Sequence, residues 1–342
     1  MRNLKDYPII TQIYESSNSR VYQAIHTSEN QPVIIKVLKE DYPTPSELTR
    51  YKQEYEITHS LSIDGVIQAY DLQQYHNTLA MILEDFGGKY LNLIMNERRI
   101  TLSEFLELAI KITNILGEIH AANVIHKDIN PANIVWNVKT EQLKLIDFGI
   151  STRFTRENPT INNPNLLEGT LAYMSPEQTG RMNRALDYTT DFYSLGATFY
   201  QILTNTLPFE TEDALELVHC HIAKQPIPPY KLDPNIPKAV SHLVMKLLAK
   251  TAEERYQSAV GIKADLEECL RQFQSSGEIA DFTLAQQDFC DRFRIPQKLY
   301  GREQEIETLL ATFERIVSNP VEDLEFGNKK AEGRGQKAEG RG

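Results

Sequence analysis

Three side chains near the middle of the chain have the types and the spacing that phosphoryl transfer requires. Asp128 and Asn133 lie five residues apart in the run HKDINPAN, and Asp147 follows fourteen residues after Asn133. Transfer of a phosphoryl group needs metal ligands on the phosphates, a lysine on the phosphates that stay behind and an acceptor for the hydroxyl proton. A hairpin between Asn133 and Asp147 would bring all three side chains to one point.

The elements before this loop indicate a small antiparallel sheet. Residues 8–38 alternate short β-branched runs with polar breaks, which is typical of strands. Ser46 is expected to cap a helix that runs to about Leu61. Two further strands are expected near residues 65–72 and 78–83.

From residue 101 the hydrophobic pattern becomes helical. Thr101 and Glu104 have the spacing of a capping box, and the apolar stripe from Phe105 to Ile119 has the helical period. Asp191 begins a further apolar helix. Other helical patterns cover residues 211–224, 237–250 and 258–273. A small β-rich part before a larger helical part predicts an α+β fold of two lobes, with a cleft between them.

The composition is that of a globular protein, and the charge limits its partners. Of the 342 residues 41% are hydrophobic and 24% are charged, and the net charge is −11. A negative net charge argues against non-specific attraction to nucleic acid or to anionic lipid. We therefore expect neither nucleic acid nor membrane as a partner.

The cysteines and the beginning of the chain indicate a cytoplasmic protein. Cys220, Cys269 and Cys290 are odd in number and lie far apart, so they predict neither a disulfide framework nor a zinc site. The first residues carry too short an apolar run for a signal peptide, and no stretch approaches the roughly 18 apolar residues of a membrane helix.

Several motifs occur in a fixed order along the chain. HKD at 126–128 is followed by Asn133, by DFG at 147–149 and by SPE at 175–177. Over residues 8–273 this order resembles the Hanks-type protein kinase family, in which HKD corresponds to HRD, Asn133 to the catalytic-loop asparagine and SPE to APE. The resemblance implies the bilobal protein-kinase fold and an ATP- and Mg²⁺-dependent transfer to protein hydroxyls.

The resemblance also assigns roles to individual residues. Asp128 would accept the hydroxyl proton, Asn133 and Asp147 would hold magnesium, and Lys36, held by Glu54, would bind the α- and β-phosphates of ATP. The remaining ATP-binding residues that it implies are Ser16 and Ser19 of the phosphate loop, Val21, Ile34 and Val135 against adenine, and the hinge from Glu84 to Phe86, with Leu83 behind it. No cofactor beyond ATP and the metal is implied.

A second group of residues would support the site. The resemblance assigns Phe148, Gly149, Thr170, Glu177, Asp191 and Arg255 to the activation segment and to its structural partners. Arg255 is expected to pair with Glu177, and Thr170 is expected to help shape the substrate pocket. Phosphorylation could order the activation segment against Lys127, and the candidate positions are Ser151, Thr152, Thr155, Thr160 and Thr170.

Three positions depart from the family pattern. The loop Tyr14–Val21, YESSNSRV, has no glycine where the family has GxGxxGxV. Asn130 stands where serine/threonine kinases usually carry a lysine that contacts the transferred phosphate, which makes Asn130 a catalytic position with a neutral side chain. Loss of one such group could cost ~10²-fold in rate unless another cation compensates, and Arg153 is a candidate by its place in the sequence. Lys127 replaces the arginine of HRD and loses its bidentate geometry.

These departures resemble one subgroup, the N-terminal kinase modules of large bacterial proteins, notably cyanobacterial ones, that continue into an AAA-type ATPase, a sensor domain and a histidine kinase. The phrases YESSNSRVY, HKDINPANIVW and GTLAYMSPEQTGRMNR carry the resemblance. The domain layout that follows is an N-lobe with hinge at 8–86, a C-lobe at 87–273, a linker at 274–298, a fragment similar to the start of an ATPase domain at 299–324, and a disordered tail at 325–342.

Three functions remain open from the sequence. The intact set of Lys36, Glu54, Asp128, Asn133 and Asp147 favours an active serine/threonine kinase in bacterial signalling, with protein substrates. The loop without glycine and the amide side chain of the HKDINPAN loop favour instead a pseudokinase or nucleotide-gated interaction module of a split signalling protein, whose partner chains would be an ATPase or a sensor histidine kinase. A small-molecule kinase of related fold is disfavoured because the SPE element is present.

Overall fold

The computed structural model describes residues 4–16, 19–40, 42–153, 170–181 and 186–289. Within these ranges no helix combines the length and the hydropathy needed to cross a membrane. The expected ATPase-like fragment at 299–324, the tail at 325–342 and Cys290 lie outside the described residues.

The N-terminal lobe is built on a five-stranded antiparallel sheet. Its strands are β1 (Ile9–Glu15), β2 (Ser19–His26), β3 (Gln31–Leu38), β4 (Ala69–Tyr75) and β5 (Thr78–Glu84), in the spatial order β1-β2-β3-β5-β4. Alternate residues of β2 and β3 are buried, as the period of a half-buried strand requires. The antiparallel strands predicted for residues 8–38 are confirmed.

A single long helix, α1 (Pro45–Ser60), packs against this sheet. The predicted cap at Ser46 is wrong, because the helix is capped by Thr44. The Thr44 hydroxyl accepts from the Glu47 N–H at 3.3 Å, and the Glu47 carboxylate accepts from the Thr44 N–H at 2.7 Å. Pro45 fits the first helical position since no intrahelical partner is available there for an N–H.

The strand expected near residues 65–72 begins later, at Ala69, because the residues before it join the two lobes. Val66 forms an isolated bridge with Leu145, and the Ile67 N–H donates to the Leu145 carbonyl at 3.0 Å. A Cβ at Gly65 would lie 2.1 Å from Ile115, so only glycine fits this approach.

The C-terminal lobe begins with a short strand and two helices. These are β6 (Lys89–Tyr90), α2 (Leu91–Glu97) and α3 (Leu102–Ala121). Thr101 and Glu104 form the predicted capping box of α3. The predicted apolar stripe of α3 is buried in the main hydrophobic core.

Short strands then carry the motif residues, and the remaining helices support them. The strands are β7 (Val124–Ile125), β8 (Ile134–Asn137), β9 (Gln142–Leu145) and β10 (Thr152–Arg153), in the sheets β6-β8-β9 and β10-β7. The helices are α4 (Thr189–Thr204), α5 (Ala214–Ala223), α6 (Pro229–Leu232), α7 (Lys238–Leu247) and α8 (Ala259–Ser276). The α+β fold of two lobes is confirmed.

The expected linker at 274–298 begins inside α8, which ends at Ser276. Residues 277–289 then return along the C-lobe, where Phe282 and Leu284 pack against the main core. Asp288 accepts from the Ser258 hydroxyl and from the Gln257 N–H, both at 2.7 Å. The described part of this stretch therefore belongs to the C-lobe and is no linker.

Candidate active site in the cleft between the lobes

A buried carboxylate of the C-lobe holds the beginning of the loop from His126 to Asn133. Asp191 of α4 is fully buried and accepts from the backbone N–H groups of His126 at 2.9 Å and Lys127 at 2.6 Å. Burial raises the pKa of Asp191, but its hydrogen bond and attraction to His120 outweigh burial and leave this pKa below its ordinary value. Asp191 thus fixes the backbone from which Asp128 projects.

Asp128 and Asn133 are in direct contact. The Asn133 amide nitrogen donates to the Asp128 carboxylate and to the Asp128 carbonyl, each at 2.9 Å. Asn133 ends a 3₁₀ turn that begins at Pro131 and leads into β8. Because the amide nitrogen is used in this way, the amide oxygen of Asn133 is left for a cation.

The DFG turn reaches the same point from the next strand. The Ile146 N–H donates to the Asn133 carbonyl at 3.0 Å, so the hairpin expected from the spacing joins the two segments. Asp147 takes a positive φ of 64°, and the Gly149 N–H donates to its carboxylate at 3.2 Å. Phe148 is buried against the His126 ring, with centroids 4.7 Å apart.

Lys36 of β3 connects the N-lobe to this turn. Its ammonium group donates to the Glu54 carboxylate of α1 at 2.6 Å and to the Asp147 carboxylate at 3.1 Å. Burial lowers the pKa of Lys36, but the attraction of Asp147 and Glu54 is larger and raises this pKa above its ordinary value. Lys36 is therefore a permanent cation between two carboxylates from different lobes.

These side chains line a cavity that opens to solvent, and the space within it, open solvent included, is about 960 Å³. Its walls include the expected adenine contacts Val21, Ile34 and Val135 and the hinge residues Glu84 and Phe86. The predicted Ser16, Ser19, Lys36, Glu54, Leu83, Asn133 and Asp147 also line it. The fold therefore brings the residues of the expected nucleotide site to one cavity.

The hinge turn needs its two glycines. Gly87 has a φ of +69°, and a Cβ at Gly88 would lie 2.6 Å from Val135 and 2.7 Å from the Phe86 ring. The carbonyl of Phe86 accepts from the Asn137 amide at 2.8 Å. These contacts place the hinge backbone at the edge of the cavity.

Sequence reasoning missed several lining residues. They are Ile13, Tyr14, Ile67, Met81, Tyr90 and Ile146. Tyr14 could have been identified from the sequence, because it stands at the first glycine position of the GxGxxGxV pattern. Ile13, Met81 and Tyr90 lie on strands, and Ile67 and Ile146 lie next to strands; which of these side chains face the cavity becomes known only when the two lobes are assembled.

Two serines replace the glycines at the base of the phosphate loop. The Ser16 N–H donates to the Ser19 carbonyl at 2.8 Å, and the Ser19 N–H donates to the Ser16 hydroxyl at 2.9 Å. The two hydroxyl oxygens are 3.1 Å apart. The ends of the hairpin are therefore closed by side-chain hydrogen bonds, while residues 17 and 18 lie outside the described residues.

Asn130 is buried and serves the backbone of the loop. Its amide oxygen accepts from the Ala132 N–H at 2.9 Å, and its amide nitrogen donates to the Asp128 carbonyl at 3.2 Å and to the Thr170 hydroxyl at 3.4 Å. The Thr170 N–H donates to the Asp128 carboxylate at 3.0 Å. Asn130 and Thr170 thus position Asp128.

Two expectations about the activation segment are corrected. Arg153 was expected as a compensating cation, but its guanidinium donates to the Ser60 hydroxyl at 2.6 Å, at the end of α1. Ser151 was a candidate for phosphorylation, but its side chain is buried and donates to the His126 carbonyl at 3.0 Å. Thr155 and Thr160 lie outside the described residues.

The SPE element is anchored by the buried pair expected from the sequence. Arg255 donates to both carboxylate oxygens of Glu177, at 2.7 and 2.9 Å. Burial raises the pKa of Glu177, but the attraction of Arg255 is stronger and leaves this pKa below its ordinary value. The carboxylate also accepts from the Thr190 hydroxyl at 2.9 Å, which ties the activation segment to α4.

The donor set fits a magnesium ion carried largely by phosphates. No group of three or more His, Cys, Asp or Glu side chains that could hold a metal occurs within the described ranges. Mg²⁺ is usually bound through one or two protein oxygens, with phosphates and water completing its coordination. Asn133 and Asp147, brought together by the hairpin, supply oxygens of this type.

A two-lobed fold with this lysine, these carboxylates and this hinge cavity defines a protein kinase. The family profile described as "Protein kinase domain" matches residues 7–266, so the chain belongs to that family. Several of the relatives that it resembles are named serine/threonine-protein kinases.

Three of these relatives illustrate the match. A probable serine/threonine-protein kinase of Clostridium perfringens is 32% identical over 265 residues, which are 76% of this chain and 38% of the relative. Serine/threonine-protein kinase PknB of Mycobacterium tuberculosis is 28% identical, over 72% of this chain and 40% of the relative. Hybrid signal transduction histidine kinase G of Dictyostelium discoideum is 30% identical, over 66% of this chain and 9% of the relative. The chain thus spans less than half the length of each.

Proposed function

We propose that the chain transfers the γ-phosphate of ATP to serine and threonine hydroxyls of proteins, with magnesium as cofactor. One observation carries the proposal. Lys36 contacts Glu54 and Asp147 at the same time, while Asp128 and Asn133 are hydrogen-bonded to each other on the adjoining loop. All five groups that the transfer needs are therefore assembled, without a rearrangement of the described residues.

The residues divide the work as follows. The Lys36 ammonium binds the α- and β-phosphates and is itself oriented by Glu54. When bound at Asn133 and Asp147, the metal neutralises phosphate charge. Asp128 orients the substrate hydroxyl and accepts its proton as the new oxygen–phosphorus bond forms and the bond to ADP breaks. Thr170 and Asn130 hold Asp128 for this step through the contacts described above.

One observation supports a second candidate, a nucleotide-gated interaction module. The side chain at position 130 is a neutral amide, and its hydrogen bonds are spent on the backbone of its own loop and on Thr170. A lysine there would stabilise the transferred phosphate, so the expected rate is reduced. A module of this kind would bind nucleotide without turnover.

The biological setting follows from the relatives' names and from the subgroup resemblance. We propose that the domain works in bacterial signalling, in the cytoplasm, beside an ATPase or sensor histidine kinase carried by the same or a partner chain. The similarity to a hybrid signal transduction histidine kinase supports the association with a histidine kinase, and the similarity to kinases of Clostridium perfringens and Mycobacterium tuberculosis supports the bacterial setting. Proteins, and neither nucleic acid nor membrane, are its proposed partners.

Phosphotransfer from labelled ATP and magnesium tests the activity. The wild type is expected to phosphorylate itself or a generic substrate protein on serine or threonine, and Asp128→Asn is expected to lose at least ~10²-fold in rate. Thermal unfolding of both proteins checks that the variant is folded. Equal transfer by the two would refute the proposal, and nucleotide binding without transfer by the wild type would establish the interaction module.

A further inference from the structure

Two tyrosines from different lobes meet at the mouth of the nucleotide cavity. Tyr14 comes from β1 and Tyr90 from β6, and their ring centroids are 5.4 Å apart at an angle of 38°. Both rings line the cavity. Tyr14 is 41% exposed, so one partner stands at the surface while the other lies deeper.

The backbone of each tyrosine is firmly placed. Tyr14 pairs with Val21 beyond a register shift in β1, and Tyr90 pairs with Val135 and stands at the start of α2. Val21 and Val135 are walls of the cavity on opposite lobes. The tyrosine pair therefore connects the N-lobe wall of the cavity, at Val21, with the C-lobe wall, at Val135.

The pair lies between the two ends of the site. The hinge and the apolar walls suit a base, whereas Lys36 and Asp147 suit phosphates. Tyr14 lines the base cavity and also the adjoining cleft that contains Asp128 and Thr170, so it stands at their boundary. In a nucleotide the sugar joins base to phosphates, so the sugar must pass beside Tyr14.

The tyrosine side chains add a function that the family's glycine pattern does not supply. Glycine at position 14 would leave the sugar side of the cavity open, whereas the Tyr14 ring covers it by contact with Tyr90. We propose that Tyr14 and Tyr90 form an aromatic clasp over the ribose of bound ATP or ADP, which must part for nucleotide exchange and therefore slows it.

The hydroxyl of Tyr90 stays protonated while the clasp works. Burial raises the pKa of Tyr90 to about 12, although Lys36 opposes the shift. Tyr90 therefore meets nucleotide as a neutral phenol at physiological pH. This inference rests on the proposed function only because it requires that the chain binds ATP or ADP; it does not require phosphotransfer.

Surface plasmon resonance on the immobilised full chain, with MgADP as probe, tests the clasp. Tyr14→Gly and Tyr90→Ala are each expected to raise the dissociation rate constant about two- to tenfold, which is the range for one aromatic pair. The double variant is expected to match the larger single effect because both changes break one contact. Tyr42→Ala, at an 82% exposed tyrosine outside the cavity, is the matched control and is expected to leave the rate unchanged.

Two further measurements separate the ring contact from a general loss of structure. Tyr14→Phe and Tyr90→Phe are expected to restore wild-type dissociation, because they keep the rings. The Tyr14→Gly variant is expected to bind ADP that carries a methylanthraniloyl group on its ribose more tightly than it binds ADP itself. If Tyr90→Ala does not fold, the exposed Tyr14→Gly change carries the test alone.

The outcomes distinguish the clasp from the kinase activity. Unchanged rates in Tyr14→Gly, additive effects in the double variant, or phenylalanine variants that behave like the deletions would overturn the clasp and leave the activity standing. A wild type that holds MgADP behind the clasp but transfers no phosphate would refute the activity alone. A wild type that binds no nucleotide would overturn both.

Discussion

Replacing Arg255 by methionine is expected to destabilise the C-lobe strongly, because it leaves a buried carboxylate without its cation. Arg255 and Glu177 are 1% and 3% exposed, and two hydrogen bonds of 2.7 and 2.9 Å join them. The arginine also donates to the Thr189 carbonyl at 2.9 Å and to the Ala249 carbonyl at 2.8 Å. Methionine keeps much of the apolar volume and removes all of these donors.

The magnitude follows from the burial of both charges. Removal of one partner of a buried ion pair costs about 3–5 kcal/mol, whereas replacement of both partners by apolar residues of similar volume is often nearly neutral. Arg255→Met is therefore expected to lower the free energy of unfolding by about 3–5 kcal/mol. The double variant Arg255→Met with Glu177→Leu is expected to recover most of that loss.

The pair also gives stability a defined pH dependence. The pKa of Glu177 is lower in the folded chain than its ordinary value of 4.5. A lowered carboxyl pKa adds stability above the unfolded value, and that stability is lost as the pH falls through the folded value. The wild type is expected to lose stability below about pH 4.5 more steeply than Glu177→Gln does.

Urea unfolding of the wild type, both single variants and the double variant measures these terms as a double-mutant cycle. A matched control is Lys238→Met, which removes an exposed amine at the first residue of α7 and is expected to change stability by less than about 0.5 kcal/mol. If Arg255→Met loses less than about 1 kcal/mol, or if the double variant is no more stable than Arg255→Met, the buried-charge explanation is wrong.

Three other changes give direct checks. Lys36→Met is expected to abolish labelled-phosphate transfer while thermal unfolding stays cooperative, and transfer at the wild-type rate would contradict the role of this lysine. Asn130→Lys is expected to raise the rate of phosphotransfer at least ~10-fold. It is also expected to cost about 1 kcal/mol of stability, because the side chain that caps the 3₁₀ turn by accepting from the Ala132 N–H is lost. A slower enzyme would contradict this electrostatic account. Gly261→Ala places a Cβ 2.5 Å from Asp288 and is expected to lower the free energy of unfolding in urea by about 1–3 kcal/mol. The control is Val260→Ala, at the exposed neighbouring position. Equal stability of the two variants would show that residues 277–289 do not dock as described.

Much of the fold is readable from local sequence. The alternating runs of β2 and β3 and the capping box of α3 are strong local signals, because each depends on residues within one turn or one strand. The start of α1 was predicted two residues late, since Ser46 and Thr44 are both good caps and the choice is made by Glu47. The late start of β4 could not be predicted, since it depends on a bridge from Val66 to Leu145 in the other lobe.

The same division holds for the site. The meeting of Asp128, Asn133 and Asp147 could be expected from their spacing, because a hairpin between neighbouring strands can bring them together, whereas their roles were implied by the family resemblance. Arg153 could not be placed from the sequence: the pairing of β10 with β7 and the contact with Ser60 direct its side chain to α1. Proximity along the chain is a poor guide wherever a long-range pairing sets the direction of a side chain.

The sequence by itself determined the order of the motifs, and with it the family, the two lobes and the residues that are proposed to contact phosphate. Those features depend on residue type and on short spacing. Only the tertiary structure decided how Lys36 is shared between Glu54 and Asp147, what Asn130 binds, and that Tyr14 meets Tyr90 across the cavity. The contacts of Lys36 with Asp147 and of Tyr14 with Tyr90 depend on how the two lobes pack, and the hydrogen bond from Asn130 to Thr170 depends on where the activation segment returns to the loop.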